Sequence, residues 1–337
     1  MDSIRLHIAR VAFGAVWAFL SASQLGAQPA KTEPLRLETK IPLGDVRGRI
    51  DHMAVDPVRN RLFVAELGNN SVGVVDLASG KLVHRISELT EPQGIGYELS
   101  TDTLFVANAG DGSVRMFRGS DFGEIGRIEL GDDADNVRID AARQHLLVGY
   151  GEGAIAVIDF SQRRKIAEIA LPAHPESFRL DQATGRIYVN VPKASAVIVL
   201  DSLGKAPPVT WSMRGIGGNF PMALDEDSGR VFIGFRAPAR LGVFWAEGGR
   251  NVASVDLCGD TDDVFVDAKR HRAYVSCGQG YIDVFDTGDP GYRRVARIPT
   301  APGARTAYFM PASDRYFLAV RATFTEPAAI WVFRAQP

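Results

Sequence analysis

The stretch Leu62-Phe63-Val64-Ala65-Glu66-Leu67-Gly68-Asn69-Asn70-Ser71-Val72-Gly73-Val74-Val75-Asp76 decides the fold. A β-branched and aromatic run, a turn of Gly and Asn, and a second β-branched run closed by Asp read as two antiparallel strands joined by a hairpin. The unit then recurs. Runs of the same kind begin at Leu62, Leu104, Leu146, Ile187, Val231, Ala273 and Tyr316, with steps of 41 to 44 residues. Each is preceded by an alternating strand and an Asp-containing turn. Each but the last is followed by a fourth strand, such as Lys81–Ile86 or Lys165–Leu171. Four strands per period of this length is the pattern of a β-propeller blade. The fold class is therefore all-β, a seven-bladed β-propeller with four strands per blade.

The hairpin chemistry agrees with this assignment. Asn69-Asn70, Asp111-Gly112, Glu152-Gly153 and Gln279-Gly280 fall between second and third strands, where a two-residue turn needs residues tolerant of positive φ. Longer turns are expected at Phe235–Leu241 and Arg321–Ala328. Ile155-Ala156-Val157-Ile158 and Val197-Ile198-Val199-Leu200 are apolar throughout, as strands covered by blades on both faces must be. The seventh unit stops after its third strand, Ile330–Phe333. Leu35–Leu43, in which Leu35, Leu37, Thr39 and Ile41 alternate with charged residues, supplies the missing fourth strand and closes the ring.

Before that strand the chain reads as a signal peptide over residues 1–27. Arg5 and Arg10 precede an apolar run from Val11 to Leu20, then small residues, with cleavage after Ala27 or after Ser23. Residues 28–337 form the single propeller domain, with no further run long enough to span a membrane. The expected location is periplasmic or secreted. A net charge of −2, with charged residues at 23% and no block of like charge, leaves no basic footprint for nucleic acid. Cys258 and Cys277 are the only cysteines. Both fall on one face of the sixth blade, and in an oxidising compartment they are expected to form a disulfide beside Asp262 and Asp263.

The pattern Tyr/Phe-Val-Ala/Asn-x-Gly followed by Val-x-Val-Val-Asp resembles the YVTN repeat of the bacterial YncE-like propellers. Leu62–Asp76, Leu104–Phe117, Ile187–Asp201 and Ala273–Asp286 carry it, whereas the Trp-Asp pair of WD40 blades is absent. The resemblance implies an exported periplasmic or surface protein, related in architecture to quinoprotein-type propellers. It does not identify a reaction.

Chemistry in such a ring is expected at the mouth of the central channel, where the segments leading into first strands meet the turns leaving second strands. Register places Asp51, His52, Gln93, Asp135, Asn136, Glu176, Asn219, Asp262, Asp263 and Arg305 at the first-strand positions. Glu66, Asn108, Tyr150, Arg236 and Arg321 leave the second strands. These polar residues differ from blade to blade, as a ligand site requires and a purely packing position does not. The primary expectation is a binding or scaffold protein that presents this mouth to a small ligand or a periplasmic protein partner. Asp51, His52, Asp135, Glu176 and Asp263 are also oxygen and nitrogen donors suited to a divalent metal. They support an alternative, a metal-assisted lactonase-like hydrolase or lyase with His52 as base, and His174 is a further candidate ligand. Arg236, Arg305 and Arg321 suit an anionic group. An accessory role in a quinoprotein-type redox system is a weaker alternative, resting on architecture alone. No Gly-x-Ser-x-Gly, His-Glu-x-x-His, Cys-x-x-Cys or phosphate-cradling glycine loop occurs.

Overall fold

Alternating apolar residues at a 42-residue step produce seven sheets, each of four antiparallel strands. The computed structural model describes residue 1, residues 33–202 and residues 206–337. The signal peptide expected over residues 1–27 lies outside these, Met1 apart. Among the described residues the only helical pieces are four 3₁₀ turns of three residues each.

Blade 1 comprises Met53–Asp56, Arg61–Glu66, Ser71–Asp76 and Lys81–Ile86, and blades 2 to 6 repeat the arrangement. Every second strand starts one residue before the position expected from the sequence, at Arg61, Thr103, His145, Arg186, Arg230, Arg272 and Arg315. The polar residue that opens each strand pairs in the ladder, and all but Thr103 stay at least partly exposed. In blade 7, Ala307–Met310, Arg315–Val320 and Ala329–Ala335 are joined by Leu35–Pro42, which pairs antiparallel with the third of them. The N-terminal strand thus completes the last sheet. First strands of neighbouring blades touch all the way round, including those of blades 7 and 1, so the ring is closed.

The closing strand does not alternate as its sequence suggests. A β-bulge between Leu37 and Thr39 inserts Glu38 and resets the pleat, so Leu35 and Ile41 are buried whereas Leu37 is exposed. The extra residue is used: Glu38 accepts hydrogen bonds from Arg315, at 3.1 Å, and from Arg334.

The cores lie between blades. Leu62, Val64 and Val75 of blade 1 pack with Phe317, Ile330 and Val332 of blade 7 and with Ile41 and Leu43 of the closing segment. Phe105, Val114 and Met116 of blade 2 pack with Leu146, Val148 and Ile158 of blade 3, and the other blade pairs repeat the arrangement. Second strands are therefore buried on both faces. Outer strands such as Lys81–Ile86 are mostly wet.

Repeated carboxylates hold the inner turns. Asp56 accepts the N–H groups of Val58 and Arg59, both at 3.0 Å, and Asp181 does the same for Ala183 and Thr184. These acids, Asp56 buried and Asp181 partly exposed, cap turns.

The hairpins between second and third strands are longer than two residues in blades 1 to 4, 6 and 7. Glu66 pairs with Ser71 and Asn108 with Ser113, leaving four residues in each loop. Asn70 and Gly112 take the positive φ there, and in blade 3 Gly151 takes it rather than Glu152 or Gly153. The expected long turn at Phe235–Leu241 is instead the tightest. The strands run on to Ala237 and resume at Ala239, because Phe235 and Leu241 bury in the blade and extend the ladder. Arg321–Ala328 is a long loop as expected.

Candidate functional site at the channel axis

The segments leading into first strands converge on an upper cavity of about 450 Å³ to which all seven blades contribute. A neck of about 30 Å³ lies beneath it, walled by Asp51, His52, Asp135, Asn136 and Ser177. A lower chamber of about 470 Å³ then runs along the first strands themselves.

The arginines of the upper wall are matched by acids. Arg236 reaches Asp262 at 2.5 Å and donates through Nε to the Thr261 carbonyl at 2.8 Å, its guanidinium lying 3.6 Å from the centre of the Phe220 ring. Arg305 bridges Asp260 at 2.6 Å and Asp262 at 3.0 Å. Arg49 reaches Asp51 at 2.6 Å and Gln93 at 3.3 Å.

Two carboxylates on the blade 3 and blade 4 side have no such partner. Among the described residues neither Asp135 nor Glu176 makes an ion pair, and Oδ1 of Asp135 is buried without a hydrogen bond. Burial, with the charge of Asp135 adding to it, pushes the Glu176 carboxyl up to about 7. Burial also raises Asp135, to about 6, against the pull of His52. Nearby His174 is held by the Gly151 carbonyl, 2.6 Å from Nδ1, with Asp133 at 3.5 Å. Burial lowers the affinity of His52 for its proton, but Asp51, Asp263 and Asp135 outweigh it and carry the imidazole above its ordinary value.

The structure brings Gln93, Asp135, Glu176, Arg236, Asp262 and Arg305 to the upper cavity, with Asp51, His52 and Asn136 at the neck. Asp263 lies lower, its Oδ2 accepting the Ala307 N–H at 2.8 Å. Five expected positions are elsewhere. Glu66 is fully buried, bound by Ser71 at 2.6 Å and Arg85 at 2.7 Å. Asn108 bonds Ser113 at 3.1 Å, and Tyr150 bonds Glu168 of its own blade. Asn219 ties blade 5 to blade 4 through the Ala196 carbonyl at 2.9 Å. Arg321 is not part of the cavity wall. The last side chain of an inner strand points into the sheet stack or towards the axis according to the pleat, and register alone does not settle which.

The metal expectation finds no ligand set. Among the described residues no three His, Cys, Asp or Glu side chains stand close enough to hold one ion. Arg49 takes Asp51, and Asp263 is occupied by backbone in the lower chamber. The disulfide is formed, Cys258 to Cys277 with Cα atoms 5.9 Å apart, inside the spacing a bridge requires.

Sequence reasoning missed Arg49, Asp133, Lys193 and Phe220 of the upper wall, Asp260 that pairs with its Arg236 and Arg305, and Arg138 and Arg179 of the lower chamber. The last two carry a readable signal: both hold the second position of the first strand in adjacent blades.

Among the described residues no helix is long and apolar enough to cross a membrane. No protein-family model matches the sequence, and no curated protein matches it. Solved structures do. The chain is similar to one from the crystal structure of a mitotic checkpoint complex, with a TM-score of 0.75, 14% identity and coverage of 96% of this chain and 99% of that one. It is also similar to a chain of Kuenenia stuttgartiensis hydrazine synthase, with a TM-score of 0.73, 16% identity and coverage of 92% and 98%. At such identities the likeness establishes the architecture, a seven-bladed β-propeller, and carries no function with it.

Proposed function

We propose that this protein is an exported binding protein whose propeller holds a small polar ligand in its upper mouth, the ligand's cationic group seated between Asp135 and Glu176. One observation carries the reading. The arginines of the mouth are already matched by Asp51, Asp260 and Asp262, whereas Asp135 and Glu176 face the cavity without an ion pair among the described residues, Asp135 feeling the nearby His52 and His174. A buried carboxylate, Asp135, and a half-buried one, Glu176, both resisting ionisation, gain most from a ligand that brings the positive charge. A cavity of about 450 Å³ suits a small molecule. Export is supported by the disulfide and by the order of charged, apolar and small residues before Ala27. The likeness of the repeat to YncE-like propellers points the same way. A rigid closed ring also suits a periplasmic protein partner that docks over the same mouth.

The test is calorimetric titration with amines of graded size: putrescine, glucosamine and choline, with glucose as the neutral control. Binding of at least one amine, weakened about tenfold or more by Glu176→Gln, is expected for a lost charge-assisted contact. Failure of every amine to bind, or equal binding by the variant, overturns the reading.

A further inference from the structure

We propose that the lower chamber is a second and separate site, which binds an organic anion: a carboxylate carried on an apolar body, clamped by Arg138 and Arg179. The argument begins with the repeat. In every blade one first-strand residue pairs with the third residue of the second strand, and it lines the chamber. Five blades place Ala54, Gly96, Ala223, Phe265 and Tyr308 there, small or aromatic. The two adjacent blades 3 and 4 place arginines. A position that serves only to fill the axis would not carry two neighbouring guanidiniums in an otherwise apolar layer.

Among the described residues neither guanidinium has a carboxylate within ion-pair distance, whereas most of the other arginines do. Arg138 donates through Nη1 to the Val137 carbonyl at 2.6 Å, through Nε to the Phe178 carbonyl at 2.8 Å and, more weakly, through Nη2 to Asn136 at 3.4 Å. Arg179 uses only Nη1, towards Ser177 at 3.2 Å and the Phe178 carbonyl at 3.0 Å, which leaves Nε and Nη2 unused. These anchors orient the two planes without neutralising them. Burial pushes Arg138 well below the ordinary range and Arg179 lowers it further, Asp263 and Asp135 opposing both without reversing them. Burial brings Arg179 down to about 10 against the pull of Asp263. Two like charges held together in a desolvated layer are costly unless an anion joins them, and a guanidinium pair offers a carboxylate parallel N–H donors. The chamber's single acid, Asp263, stands at the neck end with one oxygen committed to Ala307. The remaining wall, with Met53, Ile95, Val137, Val264, Phe309 and the aromatic pair Phe265 and Tyr308, receives the apolar body.

The experiment titrates the purified protein with benzoate, 4-phenylbutyrate and octanoate, and with the carboxamide of whichever binds best. At least one carboxylate is expected to bind, the amide about tenfold or more weaker. Arg179→Met should weaken the carboxylate by a similar factor, whereas Glu176→Gln should leave it within about twofold. The melting temperature of ligand-free Arg179→Met should equal or exceed that of the wild type, because the repulsion with Arg138 is gone. No binding by any of the three acids, equal binding of acid and amide, or a lower melting temperature for Arg179→Met overturns the proposal. Because the amines probe Glu176 and the acids probe Arg179, either site can fail alone.

Discussion

Two carboxylates of the same chain, Glu66 and Glu176, show how surroundings assign a role. Glu66 is fully buried and saturated: Ser71 donates at 2.6 Å and Arg85 through Nε at 2.7 Å and Nη2 at 3.2 Å. It is a structural fastener between the third and fourth strands and the turn above them. Glu176 has no partner and is pushed up to about 7 by burial. Glu66→Ala should therefore cost about 3 kcal/mol or more, since it strands Arg85 in a half-buried site. Urea unfolding checks this, and a loss below about 0.5 kcal/mol would mean the pair is no stronger than a surface bridge. Amine binding at the mouth should not change in that variant. Sequence alone placed both residues in one candidate set, because it reports composition and register but not hydrogen-bond saturation.

At the level of elements, the closing strand does the most with the fewest residues. Leu35–Pro42 buries Leu35 and Ile41, pairs along the third strand of blade 7 and brings Glu38 between Arg315 and Arg334. Burial alone would raise the Glu38 carboxyl, yet the two arginines hold it below its ordinary value. Each buried aliphatic side chain contributes about 2 kcal/mol, and removal of the strand also bares an unpaired edge. Deletion of residues 35–42 should lower the melting temperature by about 10 °C or more, at about 2 °C per kcal/mol for a chain of this size. Differential scanning calorimetry would show it. An unchanged transition would mean the seventh blade stands without its fourth strand.

For the whole molecule, the channel sets the pH dependence of stability. Asp135 at about 6, Glu176 at about 7 and Asp263 at about 7 are each raised first by burial, so the folded ring holds these protons where the unfolded chain releases them. His52, raised by Asp51, Asp263 and Asp135 against burial, acts in the same direction. Their stabilisation is complete below the ordinary carboxylate range and is lost as pH rises through about 7. On the ring's surface Asp314, depressed to about 2 by the Arg270 and Lys269 side chains, contributes the opposite limb, present above about 4 and lost towards 2. The melting temperature should therefore peak at about pH 4 and decline to pH 8, with a shallower decline in Glu176→Gln. A flat or rising profile between 5 and 8 would contradict it. The sequence by itself determined the blade count, the hairpin order and the closing strand. These follow from local alternation repeated at a near-constant step, with ends that complement each other. Only the tertiary structure decided which polar side chains meet at the axis. Matching positions lie some 42 residues apart, so no spacing links Asp135 to Glu176 or Arg138 to Arg179 in function. Bulges such as those between Asn219 and Met222 and between Thr261 and Asp263 shift the pleat before a side chain reaches the channel. A strand's phase is a local property. What stands across a ring from it is not.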